Sequence, residues 1–241
     1  MTEVSVRSRR PDRLPGAATG RAAAAAFYDL DGTLVRTNLV HVLLFYARND
    51  RGLLRSLRRT AVSVASIPLF FAAEQVSRHA FNQVFFRFFQ GLSADRLRLL
   101  AEELWEEVLR PALRPEAAEL IEASRARGLR QVLVTGAFDL AVAPLVRELG
   151  FDDCAANRLD MVGGAATGRL VPPVMAGAAK AEWIRAYAER EGLSLGSCYA
   201  YADSLSDLPM LSVVGRPTPI NPDLGLRRVA REQGWPVLWL K

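Results

Sequence analysis

Ala23-Ala24-Ala25-Ala26-Phe27-Tyr28-Asp29-Leu30-Asp31-Gly32-Thr33 is the stretch on which the reading of this chain turns. The apolar run from Ala23 to Tyr28 is short and ends at a turn-forming Asp-Gly, which suits a buried strand. Asp29 and Asp31 are two residues apart, so both side chains can point the same way as the chain leaves that strand. Gly32 permits a sharp turn immediately after them. Two close carboxylates repel unless a proton or a cation lies between them. A magnesium ion held by carboxylate oxygen would satisfy the pair. The plainer alternative is a strand-to-turn signal without chemistry.

Outward from this stretch the pattern changes twice. From about Asn38 to Pro115 strand signals almost disappear. Leu97, Leu100, Ala101, Leu104, Trp105 and Val108 recur at helical spacing behind Ser93, a natural N-cap, and Val76, Ala80, Val84, Phe85 and Phe88 also suit a helix. From Glu116 onward helices and short strands alternate. Val132-Leu133-Val134 and Cys198 to Ala202 read as buried strands, Leu159 to Val171 as a hairpin about Gly163-Gly164, and Pro236 to Leu240 as a closing strand. The expectation is an α/β fold: a Rossmann-like, mainly parallel sheet covered on both faces, with an inserted all-helical segment. Residues 22–37 and 116–241 would form the core, 38–115 the helical insert, and 1–21 a basic, mobile tail.

Three further motifs follow expected strands, so all can converge on the carboxyl edge of the sheet. Thr135 and Gly136 follow Val134; a hydroxyl and a glycine N–H beside a helix start can cradle phosphate oxygen, or simply cap the helix. Lys180 opens a helix, where its charge is misplaced against the positive N-terminal dipole. It could neutralise phosphate or be a solvated lysine. Asp203-Ser204-Leu205-Ser206-Asp207 follows Ala202 and offers two more carboxylates, suited to magnesium ligation or to capping a helix.

The order and strand-end placement of the four motifs resemble the haloacid-dehalogenase superfamily of phosphohydrolases over roughly residues 22–241. The phrase from Tyr201 to Leu211 and the ending Gly234-Trp235-Pro236-Val237-Leu238 look like its phosphoserine-phosphatase-like branch. The resemblance implies that 38–115 is the family's helical cap and that Asp29 attacks phosphorus and forms an aspartyl phosphate. Asp31 would serve as acid and then as base. Magnesium would be held by Asp29, the Asp31 carbonyl and Asp203, with Asp207 close by. Thr135, Gly136 and Lys180 would hold the phosphoryl oxygens. Phosphoserine phosphatases usually have Ser where this chain has Gly32, and Glu where it has Asn38. An uncharged amide pairs poorly with an ammonium, so Asn38 marks substrate specificity and phosphoserine is not the expected main substrate.

Composition narrows the remaining choices. Half of the 241 residues are apolar and 24% are charged, which excludes global disorder. The net charge is +5, and residues 1–21 carry five arginines against Glu3 and Asp12. This tail is read first as a solvated leader, with attraction to an acidic surface such as lipid headgroups or nucleic acid as the alternative, and no nucleic-acid partner is expected. No apolar core follows its arginines, as a secretory signal would require. Cys154 and Cys198 lack zinc-ligand spacing, and a reduced, cytoplasmic compartment is expected. Ala61 to Ala73 is uncharged and Phe81, Phe85, Phe86, Phe88 and Phe89 follow. The span is shorter than the roughly 20 residues of a membrane-crossing helix. It is read first as the insert's own core, with a lipid-related surface or an oligomer contact as alternatives. The expected activity is hydrolysis of a small phosphorylated metabolite. The rivals are a lipid or isoprenoid phosphatase peripheral to a membrane, and a non-catalytic phosphate-binding regulator.

Overall fold

A computed structural model describes residues 23–49, 52–70 and 78–241. The apolar run before Asp29 forms β1 (Ala25–Tyr28), buried at every residue. It pairs in parallel with β2 (Arg130–Phe138) on one side and β5 (Tyr199–Ala202) on the other. β3 (Asp153–Val162) runs parallel to β2, and antiparallel β4 (Ala165–Val171) returns from the Gly163-Gly164 turn to close that edge. β6 (Arg216–Pro219) closes the other edge, giving the order β4-β3-β2-β1-β5-β6.

Period two sorts the central strands between two apolar layers. Ala26, Tyr28, Leu133 and Tyr201 face one layer, which includes Ile121 of α6 (Pro115–Ala126) and Leu145 of α7 (Asp139–Glu148). Ala25, Phe27, Val132, Val134, Ala200 and Ala202 face the other. That layer is built from Ile184 and Tyr187 of α8 (Ala178–Glu191), Met210 of α9 (Leu208–Ser212) and Leu226 of α10 (Leu224–Gln233). Burial on both faces explains why these strands read as continuous apolar runs.

The regular elements described between β1 and α6 are all helical, as expected. They are α1 (Leu39–Arg48), α2 (Leu53–Ala65), α3 (Arg78–Phe85), a 3-10 turn Phe86–Phe89, α4 (Ala94–Leu104), a π turn Trp105–Leu109 and α5 (Arg110–Ala112). Ser93 caps α4 by accepting from the Arg96 N–H. Phe138, the last residue of β2, seats this segment on the sheet: its ring lies 5.0 Å from Phe89 and 5.6 Å from Tyr46. Truncating so buried a ring to Ala ordinarily costs about 3–5 kcal/mol. Phe81, Phe85, Phe86 and Phe89 are buried, as the core reading requires, but Ala61, Val62, Val64, Ala65 and Leu69 of the same reading are exposed and residues 71–73 lie outside the described residues. No helix among the described residues is long and apolar enough to cross a membrane. The tail 1–21 and Val76 lie outside the described residues.

Two expectations are corrected. Pro236 to Leu240 forms no regular strand; Leu238 alone bridges Ile220. The sixth strand is Arg216–Pro219, which its two prolines concealed. Arg216 donates its N–H to Cys198, just before β5, and Ile220 to Ala202 at its end, so Pro217 and Pro219, on the alternate positions, face their missing donors away from the ladder. The second correction concerns β2, which continues four residues beyond Val134 through a register shift, so α7 starts only at Asp139.

Candidate active site

The sheet order reverses at β1: β2 and β3 lie to one side, β5 and β6 to the other. Ligands of open α/β sheets bind at such a switch point, at the carboxyl ends of the strands. Asp29 leaves β1 there and Asp203 leaves β5 beside it, with the Asp29 N–H bonded to the Tyr201 carbonyl at 2.9 Å. Asp207 arrives from the 3-10 turn Leu205–Asp207. One carboxylate oxygen from each of Asp29, Asp203 and Asp207 lies within 4.8 Å of the other two.

Lys180, in the first turn of α8, reaches into this group. Its Nζ is 2.7 Å from Asp29 Oδ1 and 2.7 Å from Asp207 Oδ1, and all three side chains are buried. The Thr33 hydroxyl lies 3.3 Å from Asp29 Oδ2 and 3.2 Å from Asp203 Oδ1. Gly32 makes the approach possible. It adopts φ +79°, and a Cβ on it would stand 2.1 Å from Asp203 Oδ2.

Burial raises the pKa of Asp29, Lys180 pulls it back, and Asp207 adds to the rise. Burial and then the neighbouring Asp29 and Asp207 push Asp203 up to about 7. Burial works against the charge of Lys180, but Asp207 and Asp29 outweigh it and hold the ammonium above its usual range. With all three carboxylates ionised, one ammonium would leave two negative charges uncompensated. A divalent cation with a preference for oxygen ligands fits that donor set, so Asp29, Asp203 and Asp207 suit magnesium.

These groups floor a cavity of about 390 Å³ that also takes in Asp31, Gly136 and Asn38. Asp31 is on its wall and half-buried, and its carboxylate is outside the three-acid group. Two expectations fare differently. Thr135 lies behind the wall, fully buried, its Oγ1 accepting from the Ala137 N–H at 3.0 Å. No helix start adjoins Thr135 and Gly136, because the bulged end of β2 intervenes. Asn38 sits at the mouth as the N-cap of α1. Its Oδ1 accepts from the Val40 N–H and lies 2.9 Å from His41 Nδ1.

Sequence reasoning overlooked the residues that brace the walls. Asn157, fully buried, donates to the Gly136 carbonyl at 2.6 Å and accepts from the Met175 N–H at 2.7 Å. Asp223 Oδ2 accepts from the Leu205 N–H and Oδ1 from the Leu226 N–H, while its own N–H donates to the Asp203 carbonyl. Arg114 donates to the Gly32 and Leu240 carbonyls. Asn82 of α3 is a buried amide on the wall. Only Asp223 carried a local signal: an acid three residues before an apolar helix face is an N-cap pattern.

The haloacid dehalogenase-like hydrolase family matches residues 26–212. The chain is 34% identical over 233 residues to "Probable phosphatase Rv3661" of Mycobacterium tuberculosis, covering 95% of this chain and 79% of that one. It is 35% identical over 216 residues to phosphoserine phosphatase SerB1 of the same organism, covering 89% and 70%. A solved structure of a Bordetella pertussis protein of unknown function superposes with a TM-score of 0.77 at 26% identity, covering 90% of this chain and 98% of that one. The chain belongs to the haloacid dehalogenase-like hydrolase family. Within it, this is a hydrolase of the phosphatase class in the phosphoserine-phosphatase-like branch.

Proposed function

We propose that this chain is a magnesium-dependent phosphomonoesterase that works through an aspartyl phosphate on Asp29. The observation that carries the reading is the clamping of one buried carboxylate: Lys180 holds Oδ1 and Thr33 approaches Oδ2, at the sheet's switch point and open to a cavity. A nucleophile so fixed meets phosphorus without losing orientational freedom at the moment of reaction.

Asp29 attacks phosphorus in line, and the P–O bond to the leaving group breaks. Asp31 gives its proton to the departing oxygen. It then takes a proton from water, whose oxygen attacks phosphorus, releasing phosphate and restoring Asp29. Lys180 and the Gly136 amide are the chain's own groups for the phosphoryl oxygens. Magnesium, when bound by Asp29, Asp203, Asp207 and the Asp31 carbonyl, would supply further charge neutralisation. The segment 38–115 acts as a cap over the cavity, with Phe70, Phe81 and Asn82 among its contributions to the wall.

Phosphoserine is not the preferred substrate on this reading. The Asn38 oxygen is engaged in capping α1, and an amide offers an ammonium no counter-charge. Leu39, Phe70, Phe81 and Met175 make part of the wall apolar, which favours a leaving group with apolar surface. The same observation supports a second reading, a lipid or isoprenoid phosphate.

The test is hydrolysis of p-nitrophenyl phosphate with and without magnesium by wild type and Asp29→Asn. Loss of about 10⁴-fold or more in the variant is expected from removing a covalent nucleophile. Unchanged magnesium-dependent turnover in Asp29→Asn would sink the mechanism. Efficient turnover of phosphoserine would sink the substrate assignment alone.

A further inference from the structure

Helix α2 is built inside out. Its one buried residue is Ser63, while Leu53, Leu54 and Leu57 are 76%, 84% and 58% exposed and Val62 and Val64 about half exposed. Leu69, just beyond it, is 53% exposed. Leu53, Leu57, Ala61 and Val64 follow one another at helical spacing, so the apolar stripe is continuous and faces away from Ser63. Single exposed leucines are ordinary; a stripe of them on one helix marks a contact surface.

The charges beside the stripe state what it contacts. Arg55 and Arg58 are exposed on α2, and Arg48 is exposed in the last turn of α1. Arg59 donates to the Gln90 carbonyl. From residue 52 to residue 70 there is no Asp or Glu. A second copy of this chain would set the same arginines against one another across a two-fold axis, where like charges repel. An anionic lipid surface presents the opposite charge and an apolar interior, the two properties an interfacial amphipathic helix matches.

We propose that α2 docks this protein on anionic bilayers, with Leu53, Leu54, Leu57 and Val64 entering the acyl boundary and Arg55 and Arg58 on headgroup phosphates. The docked segment leads directly to Phe70 on the active-site wall, so the cavity stands next to the membrane contact.

The experiment is sedimentation of the full chain with phosphatidylcholine vesicles, with and without phosphatidylglycerol. Binding to the anionic vesicles alone is expected, weakening at high salt. Leu53→Ser/Leu54→Ser/Leu57→Ser should lower the bound fraction about tenfold while turnover of p-nitrophenyl phosphate is retained. Should that variant lose both properties, Arg55→Glu/Arg58→Glu probes the same face without altering its apolar stripe. No binding to anionic vesicles overturns the proposal. So does binding undiminished in the variants, which would assign it to another basic part of the chain. A dimer that dissociates on the serine substitutions would give the face to a second copy instead.

Discussion

Gly32 and Asp203, from loops that follow two different strands, approach so closely that a Cβ on the glycine would stand 2.1 Å from Asp203 Oδ2. No real Cβ tolerates that distance, so one of the two must move if Gly32 is replaced. Asp203 Oδ1 is in turn 3.2 Å from the Thr33 hydroxyl, which itself approaches Asp29. The glycine therefore sets the position of an acid whose contacts lead to Asp29, the proposed nucleophile.

Gly32→Ala should lower kcat/KM about 100-fold, the scale of a roughly 1 Å misplacement in an active site. The stability cost should be small, about 1–2 kcal/mol for an L-residue at positive φ. Steady-state kinetics alongside thermal melting separate the two. A variant as active as wild type would show that Asp203 can swing aside without consequence.

Asp203, pushed up to about 7, keeps a proton in the folded protein that the unfolded chain releases near 3.8. The sign follows from linkage: that proton stabilises the fold at low pH, and the benefit is lost as pH rises through about 7. Metal-free wild type should thus lose stability relative to Asp203→Asn between pH 5 and pH 8, by about 3 °C or more in Tm. Magnesium added at pH 8 should restore wild type and leave the variant largely unmoved. Melting curves that stay parallel across that range would contradict the assignment.

Much of this site was legible because its charged residues sit next to strong local patterns. Asp29 and Asp203 each follow a short apolar run, and such runs become buried strands whose ends share an edge. Lys180 stood out because a cation opposes the helix dipole. Asn157 and Arg114 were invisible for the opposite reason. Each acts through backbone atoms distant in sequence, at Gly136 and Met175 for one and Gly32 and Leu240 for the other, and no spacing records such partners. Thr135 was misplaced because three apolar residues suggest a strand's existence, not its length. The bulge that carries β2 on to Phe138 depends on its pairing with β3. Strand β6 was hidden because proline argues against a strand wherever the ladder direction is unknown. The run from Ala61 suggests core because it carries no charge, but absence of charge does not say which way side chains point, and Ala61, Val62 and Val64 face outward.

Asp223 offers a last measurement, on positioning rather than chemistry. Its carboxylate accepts at 2.8 Å from the Leu205 N–H in the loop that carries Asp203 and Asp207, and at 2.7 Å from the Leu226 N–H in the first turn of α10. One side chain therefore caps a helix and holds the loop of Asp203 and Asp207. Asp223→Ala removes both bonds, and the lost cap alone should cost about 1 kcal/mol. The freed loop should lower magnesium affinity and kcat together, by about tenfold. Asp223→Asn keeps one acceptor oxygen, so it can satisfy either the loop or the helix and should fall between wild type and alanine. The magnesium concentration for half-maximal activity, measured for all three proteins, checks the ordering. If alanine lowers Tm but leaves that concentration unchanged, Asp223 is a helix cap only, and the 203–207 loop holds its shape without it.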